Sequence, residues 1–401
     1  MTRNKEAGIF FWLIVSFSVA TFLYRGLLLP PVYPPFQSND FRGVFYPRVK
    51  TFLSDRDLYP VSSEYFYPPL SVVLIAPFTL FPVDPAEKMW FFTLLACLGG
   101  SFFLLVRSFP ERPPLFWALF FFLFSQFEPL YVELAYYQID LLILLILVMA
   151  YRFEEKGFFF WSGFCLAIGS LIKIMPAFFL LYFLMTKKWK SILGFFGGLL
   201  FGSLATVLLF GMRVWPDFFL RGVPRLLNGS AGNSLDQSFT NILLRIQEIL
   251  GAGEGIQKSS LVIRTGSLIF STVMILSLWS SIKERAHRPL GAEYAAVICA
   301  MLLSATTMNE THLVLLLFPF SILMTFFFQN PSKNTRGAFF VSLAFTIVAL
   351  HYGYTAPFLK GRVWGLCLAK AKFFGTVLTY LCCLSLLTRR TEEIKIFEDT
   401  P

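Results

Sequence analysis

Apolar runs of roughly 18–22 residues recur along almost the whole chain, each long enough to cross about 30 Å of hydrocarbon. FFWLIVSFSVATFLY at 10–24, FFTLLACLGGSFFLLV at 91–106 and ILGFFGGLLFGSLATVLLF at 192–210 are representative. The apolar excess is not confined to one anchor. The 401 residues are 56% hydrophobic and 14% charged, where a soluble domain has about 45–50% and about 25%. Because the runs are continuous and not alternating, they argue for membrane-crossing helices and against a barrel. The fold class expected is all-α, polytopic, with roughly 10–12 transmembrane helices.

Basic residues fall in short clusters between these runs: Arg3/Lys5, Arg107/Arg112, Arg152/Lys156, Lys187/Lys188/Lys190, Lys283/Arg285/Arg288, Lys333/Arg336 and Arg389/Arg390. The net charge of +10 thus suits an anionic membrane surface, and no nucleic-acid partner is expected. The positive-inside rule puts each cluster in the cytoplasm. About twelve crossings then return the chain correctly: 8–29, 87–106, 115–134, 139–151, 158–172, 174–186, 190–211, 261–282, 291–308, 311–328, 337–356 and 364–387. Lys173 and Pro176 divide the stretch 158–186. The first run follows basic residues as a secretory signal does, but ends in RGLLLPP without a small-x-small cleavage site, so it reads as a retained anchor.

This arrangement makes 1–401 one membrane domain in the plasma (inner) membrane, with both termini cytoplasmic and 389–401 a cytoplasmic tail. Two long loops, 30–66 and 213–260, lie outside. Proline-bounded PPLSVVLIAPFTLFP at 68–82 reads as a re-entrant or interfacial piece, extending the first outer region to 30–82. No internal repeat is evident. The six cysteines, Cys97, Cys165, Cys299, Cys367, Cys382 and Cys383, all sit in apolar runs without metal-ligand spacing and read as small hydrophobes.

Polar residues at span ends converge on the outer face. They are Asp40; Glu133, Gln138 and Asp140 in YVELAYYQID; Lys173 in LIKIMPAFF; Asp236, Gln237, Asn241 and Arg245; and Asn309, Glu310 and His312 in TTMNETHLV. Ionisable groups at membrane depth are costly, so each is a functional candidate. A lysine at Lys173 must snorkel or find an anion, and the phosphate of a lipid-linked donor is such an anion. Asp40 either caps a short helix or acts as a general base. An inverting glycosyl transfer needs one carboxylate to accept the acceptor's proton, while nearby cations stabilise a departing phosphate. Phe41, Phe45 and Tyr46 are placed to exclude water and stack on sugar faces. Asp55-Arg56-Asp57 has the form of a metal-binding D-x-D but reads equally as a helix end. His312, with no second histidine near it in sequence, reads as an interface residue or a substrate contact.

Several stretches then match a family pattern. NDF at 39–41, DLYP at 57–60 and FYPPL at 66–70 resemble the opening of the GT87 glycosyltransferases, GT-C-fold membrane enzymes typified by polyprenol-phosphate-mannose-dependent α-mannosyltransferases. YYQIDLLILLILVMAYRF resembles the family's Gly-Gln-x-Asn-Leu-Leu helix. WSGFCLAIGSLIKIMPAFFLLYFLMTKKWK resembles its Ala-Gly-x-x-x-Gly…Lys-x-x-Pro segment, DQSFTNILLRI its Asn-Gln-Ser…Arg motif, and LLSATTMNETHLVLLLFP its Leu-Ser-Pro…His-Leu-Val segment. The matches keep family order over about residues 39 to 320. Departures are Tyr137 where glycine is common, Asp140 and Asp236 where asparagine is common, Ala305 for proline, and a one-residue offset at His312.

The resemblance implies a GT-C-like fold with Asp40 as the catalytic base. It implies Lys173, Arg245 and His312 at the donor phosphate or lipid, and Gln138, Asp236, Gln237 and Tyr67 as sugar or acceptor contacts. The implied donor is a polyprenyl-phosphate hexose, most often mannose. The acceptor would be a lipid-linked glycan or glycolipid at the outer leaflet, with inversion and with no metal or other cofactor. The rival class, a flippase or transporter of lipid-linked sugars, would favour polar groups near the bilayer midplane and a repeat. A non-catalytic envelope partner would make Asp40 dispensable.

Overall fold

A computed structural model describes residues 2–28, 39–60, 64–108, 112–228, 236–250, 261–283, 289–329, 335–350 and 363–388. The expected tail, several basic positions between spans and parts of both long loops lie outside these residues.

Helices dominate, and no strand occurs among the described residues. Thr2–Leu23 (α1) precedes Tyr46–Asp55 (α2), Leu70–Ile75 (α3) and Val83–Ser108 (α4). Pro114–Ser125 (α5) and Glu128–Tyr136 (α6) are limbs of one apolar stretch bent by 52°. Asp140–Glu155 (α7), Phe159–Ile172 (α8), Phe179–Met185 (α9) and Trp189–Phe210 (α10) follow. Short helices Val214–Asp217 (α11) and Val223–Asn228 (α12) precede Phe239–Ile249 (α13) and Leu261–Lys283 (α14). Leu290–Leu303 (α15), Leu317–Gln329 (α16), Thr335–Ala349 (α17), Val363–Ala369 (α18) and Ala371–Leu387 (α19) complete the described chain.

Among the described residues, four helical stretches are long and apolar enough to cross a membrane: α4, α10, α14 and Glu310–Phe328; the α5–α6 pair makes a fifth if counted as one span. Two of the apolar runs are interrupted where polar residues fall within them. At Lys173 the backbone becomes extended (φ −143°, ψ 126°), and a 3-10 turn, Met175–Phe178, leads into α9. Pro176, with no amide hydrogen, helps end the α-helical ladder. The run 364–387 breaks likewise, at Lys370. The piece expected at 68–82 is α3 followed by a 3-10 turn, Ala76–Leu80.

Burial separates inner from peripheral helices. The Glu310–Phe328 stretch is 89% buried and α14 only 11%. Helix α15 is buried on every side, while α10 exposes Leu193, Phe196, Leu200, Leu204 and Leu208. An exposed apolar stripe of this kind is what lipid contact requires.

Helices α8 and α10 cross almost backbone to backbone. A Cβ added at Gly163 would lie 1.8 Å from the Ser191 carbonyl oxygen, and one at Gly194 would lie 1.9 Å from that of Phe160. Small residues at such crossings let dispersion contacts replace the hydrophobic drive that lipid does not supply. Helices α7 and α8 are antiparallel partners joined at residues 156–158. This brings Asp140 at the start of α7 beside Lys173 at the end of α8, and Glu154 near the other end of α7 beside Ser191 at the start of α10. The basic cluster Lys187/Lys188/Lys190 therefore lies at the end opposite Lys173.

Candidate active site

The site is assembled at the Asp140 end of α7. Its first component is the turn joining α6 to α7. Tyr137 ends α6 in the left-handed region at φ 54°, where glycine is favoured. Tyr137 is thus a strained exception at a position where the resemblance leads glycine to be expected. Trp90 on α4 donates its indole N–H to the Tyr137 carbonyl at 2.9 Å, and Phe91 packs on the Tyr137 ring. Glu133 reaches over this turn and accepts the Leu141 amide at 3.1 Å, satisfying an orphan N–H of α7. The other Glu133 carboxylate oxygen, Oε2, is buried without a hydrogen-bond partner.

Gln138, in this turn, joins two segments of the first loop region. Its amide nitrogen donates to Asp40 Oδ2, and its Oε1 accepts the Tyr67 hydroxyl at 2.9 Å. Three expected site residues, Asp40, Tyr67 and Gln138, thus form one hydrogen-bonded chain. Asp40 begins the π-helical turn Phe41–Phe45 but makes no side-chain capping bond. That role belongs to Asn39, whose Oδ1 accepts the Arg42 amide at 2.9 Å. Asn39 and Arg42 in turn bond Glu87, fixing the loop to the start of α4. The Asp40 carboxyl caps no helix and is pushed up from 3.8 to about 6. Burial is the main cause, opposed by the Lys173 charge, with Glu64 raising it further. Burial also holds the Tyr67 phenol well above its ordinary range, aided by the Asp40 charge.

Lys173 enters from α8. Its ammonium contacts both oxygens of Asp140, at 2.6 and 2.7 Å, and lies 5.9 Å from the Tyr67 ring centroid. Asp140 is completely buried and Lys173 is 8% exposed, so this is an interior ion pair and not a snorkelling lysine.

The second group forms around the bridge between Asp236 and Asn309. Asp236 Oδ1 accepts the amides of Ser238 at 2.9 Å and Met308 at 3.0 Å. The Gln237 amide donates to the Met308 carbonyl at 2.6 Å, and its side-chain amide donates to the Ala369 carbonyl at 3.2 Å. Ser238 caps α13 by accepting the Asn241 amide. Lys370 donates to the Asp236 carbonyl and Lys372 pairs with Glu310; both lysines are buried. His312 links the two groups electrostatically, within reach of Lys173 and Asp140 on one side and Asp236 on the other. Its Nδ1 is buried and unpartnered. Arg245 pairs with Glu248, one turn along α13, at 2.7 Å, which directs it along its own helix.

One expectation changes. Phe41, Phe45 and Tyr46 do not present faces for sugar stacking: all three are buried. Phe41 stacks on Trp90 at 5.7 Å, Phe45 packs edge-on to Tyr67 at 5.0 Å, and the Tyr46 hydroxyl donates to the Phe81 carbonyl at 2.7 Å. Aromatic residues placed beside a loop carboxylate were recruited to the core that holds it. The D-x-D carboxylates face arginines: Asp55 pairs with Arg48 and Asp57 with Arg221, each at 3.0 Å. Arg56 between them sits at φ 59°, closing α2. No group of three or more metal-ligating side chains occurs among the described residues.

Lys370 and Lys372 were not anticipated, although LCLAKAKFFG carries the signal that singled out Lys173: ionisable residues inside an apolar run. They were hidden by reading 364–387 as one unbroken span.

The family model for glycosyltransferase family 87 matches residues 65–309. Tyr67, Gln138, Asp140, Lys173, Asp236, Gln237 and Arg245 lie within the match; Asp40 and His312 lie outside it. No curated protein matches the chain.

Proposed function

The chain belongs to glycosyltransferase family 87 and is a multi-pass membrane glycosyltransferase, and from that premise we propose that it moves a hexose, mannose, from a polyprenyl-phosphate donor to a lipid-anchored glycan or glycolipid. Transfer proceeds with inversion at the outer face of the plasma (inner) membrane, within a GT-C-like fold. Asp40 is the base. It takes the proton of the acceptor hydroxyl as that oxygen attacks the anomeric carbon, and the C–O bond to phosphate breaks on the opposite face. The departing phosphate carries its own charge and needs no proton, and the Lys173 ammonium stabilises it.

The observation that carries this reading is the Asp40–Gln138–Tyr67 chain beside Lys173. A carboxyl with pKa near 6 is largely ionised at neutral pH yet more basic than an ordinary aspartate, as a general base should be. The side-chain amide that holds it belongs to a residue inside the family match. The outer location is supported by the basic cluster at the opposite end of α7 and α8. His312 and Gln237, each with an unpartnered buried atom, are the proposed contacts to donor or acceptor hydroxyls and phosphate, with Arg245 and Asp236 at the margin.

The test uses purified protein in lipid nanodiscs with radiolabelled polyprenyl-phosphate mannose and extracted membrane glycolipids. Label transfer by the wild type, lost in Asp40→Asn with donor binding intact, supports the assignment. Equal transfer by both removes Asp40 from the role of base. Donor binding without transfer by either, accompanied by movement of the lipid-linked sugar between leaflets, overturns the transferase reading for this donor.

A further inference from the structure

The bidentate pair between Lys173 and Asp140 raises a problem for any anion entering the site. The Lys173 ammonium already has two carboxylate oxygens within hydrogen-bonding distance. Further negative groups surround it. Glu133 lies within electrostatic reach of Asp140 and Lys173 and has one buried oxygen unpartnered; Asp40 lies within reach of Lys173. Three carboxylates thus lie within electrostatic reach of one lysine, with the Tyr67 and His312 rings nearby. A phosphate cannot add to such a site as one more anion, because like charges in a poorly solvated setting repel strongly. It can enter by taking the place of a carboxylate on the ammonium.

We infer that Asp140 is a built-in, displaceable counter-ion of Lys173, and that competition between Asp140 and the substrate phosphate sets how tightly donor and product are held. This rests on the reading of Lys173 as the phosphate-binding group. Asp140 is then a positioning and specificity residue acting through Lys173. Its position suits exchange. Asp140 begins α7, where the positive end of the helix dipole favours a carboxylate that has let go of its lysine.

The chemistry gives the device a purpose. A sugar-phosphate-polyprenol donor is a phosphodiester with one negative charge. The product, a polyprenyl phosphomonoester, carries about 1.5 to 2 charges near pH 7. A bare buried lysine would hold the more highly charged product tighter than the donor and slow turnover. A carboxylate waiting to re-pair with the ammonium displaces the product once transfer is complete. Removing the carboxylate should therefore tighten phosphate binding and make product release limiting.

The experiment compares wild type, Asp140→Asn and Asp140→Glu in nanodiscs, titrating farnesyl phosphate as a short product mimic and, separately, inorganic phosphate. The expected result is binding of farnesyl phosphate about tenfold or more tighter in Asp140→Asn. Asp140→Glu, which keeps the charge, should return affinity toward wild type, and adding Lys173→Gln to Asp140→Asn should abolish the gain. In transfer assays Asp140→Asn should lower KM and kcat together and become more sensitive to inhibition by farnesyl phosphate. A structural staple would show lost thermal stability without that pattern. A gain confined to farnesyl phosphate assigns the site to lipid-borne phosphate; a gain with both probes assigns it to phosphate alone, and either supports the counter-ion. If wild type and Asp140→Asn bind farnesyl phosphate equally, the counter-ion is overturned while the phosphate role of Lys173 stands. If neither binds above background, both fall. Should Asp140→Asn fail to fold, Asp140→Ser, which retains a helix-start hydroxyl, carries the same comparison.

Discussion

At one end of α7, Glu154 lies 2.9 Å from the ammonium of Lys188, which also approaches Glu293 at 3.6 Å. Tyrosine and serine hydroxyls enclose these carboxylates: Tyr182 donates to Glu293 at 2.5 Å, and Ser191 to Glu154 at 3.3 Å. At the other end, roughly 20 Å away along the helix axis, Asp140 meets Lys173 in a pair of similar length. Here the surroundings are not closed. Glu133 Oε2 and His312 Nδ1 have no hydrogen bond, and neither has Glu154 Oε1 at the first end, but of the three only the last faces an ammonium, that of Lys188; Asp40 is held by an amide nitrogen. Both ends bury more carboxylates than lysines. The first joins the starts of α10 and α15 to the end of α7 and reads as a structural peg; the second leaves polar capacity unused, which is what a substrate needs.

The comparison is broken most severely by Asp40→Asn, expected to lower transfer about 10²- to 10⁴-fold while donor binding, read by titration, persists. At the peg, Lys188→Met strands two buried carboxylates and should destabilise the protein by about 3 kcal/mol, measured as denaturant or thermal unfolding in a fixed lipid environment. The transfer rate per folded molecule should stay within about threefold, since the site lies at the opposite end. A large loss of kcat in folded Lys188→Met would merge the two ends into one functional unit.

The remaining predictions sharpen the contrast. Asp40 acts in its ionised form and its carboxyl is raised to about 6, so kcat/KM should rise with pH through that value and level above it. Below it, activity should fall about tenfold per pH unit. A limb near 4 in a pH–rate profile would show that burial does not hold this carboxyl. Tyr67→Phe removes the hydroxyl that donates to Gln138 Oε1 and should cost about 1 kcal/mol of transition-state stabilisation, roughly fivefold in kcat/KM. The same change at Tyr182, in the peg, should leave kcat/KM unchanged and register only in stability.

Much of this was legible from residue types. Long apolar runs required helices, and rare polar residues within or beside them singled out Asp40, Gln138, Lys173 and Asp236 as candidates. Less legible were partners separated by many residues. Nothing in YYQID states that Asp140 answers Lys173 thirty-three positions later; that follows from α7 and α8 being antiparallel and of nearly equal length. Lys370 and Lys372 escaped because hydropathy averages over a helix break. Phe41, Phe45 and Tyr46 were misjudged because aromatic rings suit a sugar face and a protein core equally well, and only packing decides between them.

The sequence by itself determined a polytopic helical membrane protein, since hydrocarbon thickness and backbone hydrogen bonding leave a chain of this hydropathy few alternatives, and its motifs, not its hydropathy, carried the likeness to glycosyltransferase family 87. It also determined which side chains are too costly to bury without purpose. The tertiary structure alone decided their relations: which carboxylate faces Lys173, which is left on an amide, and which caps a helix. Those relations depend on helix direction and crossing distance, here set by contacts as close as Gly163 against Ser191, and such distances follow from the packing of whole helices and not from any local run of residues.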